Sequence, residues 1–178
     1  MRRIIALVAI ALVGLSAGVA AGCGDKTKVV TDTGKNGQTT VKTVADVSFA
    51  KTKFVLHMGL AYGAFSRYIK NPYQRGAFKK GAPKRKRAIV KAALAGAFSY
   101  RELKLARRAA ESSEVLRTKL LGPFDTVLDQ FGGALAGLKD GKLPTDLGSL
   151  IGGMAGLKTI ASGAGFDFSE KNAPIPGL

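Results

Sequence analysis

Few side chains in this sequence are of types that perform chemistry, and their spacing decides among them. Cys23 is the only cysteine and His57 the only histidine. A single thiol excludes an intrachain disulfide and a cysteine-based zinc cage, which needs several ligands from one chain. His57 could serve as a base or a metal ligand, yet no Asp or Glu occurs from Val47 to Arg101. Glu102, Glu111 and Glu114 reach it only if folding brings them there, so the residue reads as structural or surface-lying. Asp125 and Asp129 stand one helical turn apart and could hold a cation or share a proton. Both also follow Pro123 closely, where negative charge favours a helix N-terminus, and that reading needs no ligand. Ser112 and Ser113 lack the context of a nucleophile motif and suit a helix cap. No catalytic residue, metal or cofactor is expected, and the sequence leans away from an enzyme.

Charge is the stronger signal. The formal net charge is +16 over 178 residues. Between Val47 and Arg101 there are 13 Lys and Arg and no carboxylate, whereas from Leu121 onward acidic residues outnumber basic ones by 6 to 4. A field this lopsided favours an anionic partner. Its densest part is Lys79, Lys80, Lys84, Arg85, Lys86, Arg87 and Lys91, with Phe65, Tyr68, Tyr73 and Phe78 nearby. Cations interleaved with rings can bind single-stranded nucleic acid or lie at a lipid interface, with charge on the headgroups and rings at the boundary. The alternative is a solvated face that only aids solubility.

The chain opens with Met1-Arg2-Arg3, a ten-residue apolar run from Ile4 to Val13, and small residues from Gly14 to Gly22. That is the three-part layout of a secretory signal peptide. Ala20-Ala21-Gly22-Cys23 resembles the lipobox of bacterial lipoproteins, although Ala20 stands where that family usually has Leu. The resemblance implies a diacylglycerol on the Cys23 thiol, cleavage before it, and anchorage on the outer face of a bacterial cell membrane. It covers residues 1–23 alone. With a membrane at hand, the partners expected for the basic cluster are anionic lipid or cell-wall polymer, with an envelope protein as a further possibility and no nucleic acid.

These groups must be positioned by the rest of the chain. Residues 23–46 are polar, with six Thr and four Lys between Gly24 and Asp46. They read as a flexible tether of about 25 Å. The alternative is a hairpin turning at Asn36-Gly37. From Val47 the apolar period becomes helical: Val47, Phe54, Met58, Ala61, Phe65 and Tyr68 share a face that ends by Asn71-Pro72. Tyr73 to Pro83 reads as a loop. A second helix is expected from Lys84 to about Glu111, with Ile89, Val90, Ala93, Leu94, Ala97, Phe98, Tyr100 and Leu105 inward. A short third helix, Glu114 to Leu121, should break at Gly122-Pro123. A fourth should begin there, with Phe124, Val127, Leu128, Phe131, Leu135 and Leu138 inward. Asp140-Gly141 marks a turn. Thr145 could cap a fifth helix carrying Leu147, Leu150, Ile151, Met154, Leu157 and Ala161. Glycine pairs four apart (Gly59 and Gly63, Gly133 and Gly137, Gly152 and Gly156) point to close helix packing within the bundle.

The expected fold is all-α: a small bundle of four to five helices after a signal peptide and a polar tether. The divisions are a leader at 1–22, the lipidated cysteine and tether at 23–46, the helical domain at 47–161, and an irregular tail at 162–178 in which Phe166 and Phe168 could dock. The expected role is a non-catalytic, membrane-anchored lipoprotein whose cationic segment engages an anionic surface. The alternatives are a protein-docking adaptor and, less favoured, a small-ligand carrier or enzyme with its site between helices.

Overall fold

A computed structural model describes residues 27–33, 38–139, 146–172 and 175. The leader, Cys23, the Asn36-Gly37 and Asp140-Gly141 turns and the Thr145 cap lie outside the described residues. The protein is a helical bundle preceded by a hairpin. Strands β1 (Thr27–Thr33) and β2 (Thr39–Ala45) pair antiparallel, from Thr27 opposite Ala45 to Thr33 opposite Thr39. Four long helices follow: α1 (Ala50–Phe65), α3 (Arg85–Glu111), α4 (Glu114–Lys139) and α5 (Leu147–Gly163). A π-helical turn over Ser66–Lys70 joins α1 to the short α2 (Asn71–Gln74).

Strand pairing therefore occupies 27–33 and 39–45, within the segment read as a tether. A lone hairpin is marginal in water, but the open end of this one is tied to the bundle. Lys28 Nζ donates to the Ser112 carbonyl at 2.6 Å, and the Val47 N–H donates to Ser112 Oγ at 3.0 Å.

The core confirms most of the periodic stripes. Phe54, Met58, Ala61 and Phe65 are buried on α1, and Leu147, Leu150, Met154, Leu157 and Ala161 on α5. Phe54 sits between Phe124 and Phe166, edge-on to both at ring separations of 6.0 and 5.9 Å. Phe65 meets Phe131 at 5.7 Å in the same geometry. Such pairs contribute about 0.5–1.5 kcal/mol beyond area burial.

Three expectations are corrected. First, α4 does not break at Gly122-Pro123 but runs through it. Pro123 lacks the N–H that would bond the Lys119 carbonyl, at a cost of about 3 kcal/mol in a helix interior. Leu116, Leu120, Phe124, Val127 and Phe131 form one buried stripe across that point. Each such side chain contributes about 1.5–3 kcal/mol on burial, so packing prevails over propensity. Asp125 and Asp129 accordingly lie in a helix interior rather than at a helix start. Second, α3 is rotated relative to the sequence reading. Its inward face is Ile89, Ala92, Ala95, Gly96, Ser99, Glu102, Leu103, Ala106, Ala109 and Ala110. Val90, Leu94 and Ala97 face solvent, with Ala93, Phe98, Tyr100 and Leu105 at the margins. The small residues let α1 approach closely, as the bond from Ser99 Oγ to the Ala61 carbonyl, at 3.1 Å, records. Third, the helix before the basic loop continues past Asn71-Pro72 to Gln74, because proline needs no donor in the first turn of α2.

α5 runs on through Gly163, and the described residues beyond it form no helix or strand and dock on the bundle. Phe166 and Phe168 are buried, and the Lys171 N–H donates to the Gly59 carbonyl of α1 at 3.0 Å. The groove at Gly59 and Gly63 thus admits the tail, not a helix. A Cβ on Gly133, Gly152 or Gly156 would meet nothing within 4 Å, so these glycines are not packing contacts.

Candidate anionic-surface interface

α1 and α3 run antiparallel: Lys91 lies over the Tyr68 ring near one end, and Val47 bonds Ser112 at the other. The basic loop and the start of α3 therefore occupy one end of the bundle, and the hairpin's open end the other. At about 1.5 Å per residue, the 27 residues of α3 separate these ends by about 40 Å.

The loop from Arg75 to Lys84 is built of successive tight turns. The Lys79 N–H bonds the Gly76 carbonyl at 3.0 Å and the Ala82 N–H bonds the Lys79 carbonyl at 3.1 Å, with Gly76 and Gly81 at positive φ. Phe78 plugs into the core, and Arg85 Nε donates to its carbonyl at 2.8 Å. Arg85 is thus a strut of the loop. Lys91 is half-buried and stacks over Tyr68, which also lies beside Arg67. Lys79, Lys80, Lys84, Lys86 and Arg87 are exposed. Phe65 and Phe78 are core residues and so are withdrawn from any stacking role; Tyr73 remains exposed.

The electrostatics at this end are unfavourable to the isolated protein. Lys84 precedes α3 with a left-handed backbone at φ 57°, no side chain caps the helix start, and no acid occupies its first turn. Arg85, Lys86 and Arg87 instead crowd the positive pole of the helix dipole, where a charge of the right sign contributes about 0.3–1 kcal/mol. Here the sign is wrong three times over, and an external anion would relieve it.

The outward face of α3 continues the pattern. Lys86, Val90, Leu94, Ala97, Arg101 and Lys104 recur at steps of three and four, and all are exposed. Val90 is 58% and Leu94 38% accessible, so two aliphatic side chains lie between cations at either end. No carboxylate interrupts this stripe. The sequence reading placed Val90 and Leu94 in the core and so missed the face. The absence of acids along α3 before Glu102 was the signal that could have found it.

On the other side of α3 two carboxylates, Glu111 and Asp125, are taken by structure. Arg107 Nε donates to Asp125 Oδ1 at 2.6 Å and the same guanidinium reaches Glu111. Those bonds and charges hold Arg107 firmly protonated, the Asp125 hydrogen bond foremost. Asp125 is therefore a tie between α3 and α4. Among the described residues no group of three or more metal-ligating side chains assembles, and no helix is long and apolar enough to cross a membrane.

Folding does unite His57 with Glu102. Nδ1 lies 2.7 Å from Oε2, and Glu102 is the one buried carboxylate among the described residues. No family model, curated protein or solved structure matches the chain.

Proposed function

We propose that the protein is a non-catalytic bacterial lipoprotein, anchored through Cys23, whose bundle lies along an anionic lipid surface on the outward face of α3. The observation that carries this reading is the acid-free stripe on α3, with exposed Val90 and Leu94 set between Lys86 and Arg101. Aliphatic groups at the headgroup boundary with cations around them match an interfacial helix, and each Lys or Arg near such a surface contributes about 1 kcal/mol, screened by salt.

Chain geometry supports the flat orientation. Thr27 lies four residue steps beyond Cys23, a reach of at most about 14 Å. A lipid on Cys23 holds the hairpin end of the bundle close to the bilayer. The cationic loop, about 40 Å away along α3, reaches the same surface only when the helix lies parallel to it. An upright bundle would offer its cations to cell-wall polymer instead.

Intact mass of the native product tests the anchor: a diacylglycerol-bearing cysteine at the new N-terminus is expected, and an uncut leader overturns it. Co-sedimentation of the mature-length chain carrying Cys23→Ser tests the surface. Binding should require anionic vesicles and fade with salt. Binding to purified anionic cell-wall polymer alone would favour the upright arrangement, and one dominant protein adduct on in-cell crosslinking would favour an adaptor.

A further inference from the structure

The His57–Glu102 pair lies beside a depression of about 300 Å³ lined by Val47, Lys53, His57, Leu105, Arg108 and Ala109. Glu102 is 5% exposed, and a buried carboxylate must be paired. Its partner is the chain's only imidazole, through Nδ1 at 2.7 Å. A carboxylate accepts, so Nδ1 carries the hydrogen, and in the neutral ring the lone pair is left on Nε2. Among the described residues Nε2 has no hydrogen-bond partner. Nor does the ammonium of Lys53, which stands one turn before His57 on α1, where side chains four apart are neighbours. Arg108 completes the rim.

From this arrangement we infer that the depression binds a small oxyanion that itself carries a hydroxyl, of the class of hydrogen phosphate. Lys53 and Arg108 supply positive charge to the anionic oxygens, and His57 Nε2 accepts from the hydroxyl. Glu102 is a positioning residue: it fixes the tautomer that makes the ring an acceptor. The hydroxyl requirement follows from that tautomer, since an oxyanion without a proton would oppose the Nε2 lone pair. The inference is independent of the membrane reading, because α3's outward stripe takes no part in it.

The single histidine makes the test direct. The ring nitrogens of ¹⁵N-histidine-labelled protein are observed while inorganic phosphate is added, above the ordinary titration range of histidine, with sulfate at matched ionic strength as comparison. Without ligand, Nδ1 should appear protonated and Nε2 unprotonated. Phosphate should give a saturable shift with a Kd of about 1 mM, sulfate should bind at least about tenfold more weakly, and Lys53→Met should weaken phosphate binding about fivefold with the histidine spectrum otherwise intact. The opposite tautomer, a shift that does not saturate, equal affinity for sulfate, or a Lys53→Met variant that binds as before would overturn the proposal.

Discussion

Gly63 of α1 lies so close beneath the backbone of Lys171 that any Cβ there would overlap the Lys171 carbonyl group. One turn earlier, a Cβ on Gly59 would stand 2.8 Å from the Ser169 carbonyl oxygen. The C-terminal tail is therefore fitted to the helix at backbone level, and the rings of Phe166 and Phe168 follow it into the core.

Gly63→Ala is expected to lift the tail and destabilise the fold by about 1–3 kcal/mol, the usual cost of overpacking. Gly133→Ala provides the contrast. A Cβ there meets nothing, so the change should stabilise by about 0.4–1 kcal/mol through the unfolded chain. Urea unfolding of both variants checks the pair. Two destabilised proteins would show that the tail contact is not what sets Gly63 apart.

Much of this was legible in the sequence, and the misses share a cause. Stripes of large side chains located α1, α5 and the two halves of α4, because a Phe or Leu repeated every three or four residues has one economical place to go. α3 misled for the same reason. Its large residues, Val90 and Leu94, lie outside, and its alanines lie inside, where α1 comes close enough for Ser99 to bond the Ala61 carbonyl. Size alone cannot reveal that a partner helix approaches too near for large side chains. The pairing of His57 with Glu102 spans 45 residues, and nothing local announces it. The basic cluster was plain in sequence, but the division of its members into struts and free cations depends on Arg85 finding the Phe78 carbonyl.

Pro123 tests how far packing prevails over propensity in α4. Its ring cannot donate to the Lys119 carbonyl, so Pro123→Ala restores a bond without disturbing Leu120 or Phe124. The variant should be more stable by about 1–3 kcal/mol, read as a higher urea midpoint at unchanged slope. A loss of stability would mean that the proline sets a bend on which the core depends.

α5 is capped by Asp146, whose Oδ1 accepts from the Ser149 N–H at 3.0 Å. The Ser149 side chain and backbone together hold the Asp146 carboxyl below its usual range. A depressed carboxylate stabilises the fold above its unfolded pKa, and that contribution disappears as pH falls through the lower folded value. Asp146→Ala should therefore lower Tm near neutral pH and cost progressively less in strong acid, whereas Asp146→Asn should retain most of the cap. Thermal melts across acidic pH check this; a Tm deficit for Asp146→Ala that is constant with pH would remove the charge from the argument.

The basic cluster should divide on mutation as it divides in structure. Lys86→Glu with Arg87→Glu is expected to weaken binding to anionic vesicles by at least about tenfold, from about 1 kcal/mol lost per cation, with Tm nearly unchanged. Arg85→Ala should do the reverse, lowering Tm through the loop it braces while binding falls by only one charge. Vesicle titration beside thermal melting separates the effects. Equal binding losses from Arg85 and from the exposed pair would contradict the division.

The orientation on a membrane can be read from a fluorophore that the chain lacks, since it contains no Trp. Val90 is exposed near the start of the cationic face of α3, and Ile160 is 36% accessible on α5, which packs on α4. An indole reports an apolar environment by a blue shift, and Trp favours the interfacial depth that a flat helix would occupy. Val90→Trp should shift to shorter wavelength on anionic vesicles and be quenched by brominated acyl chains, while Ile160→Trp should remain as in water. A Val90→Trp variant that binds vesicles with no change in emission would show that the bundle meets the surface elsewhere. A shift at Ile160→Trp alone would move the contact from the cations to the apolar glycine-rich side of α5.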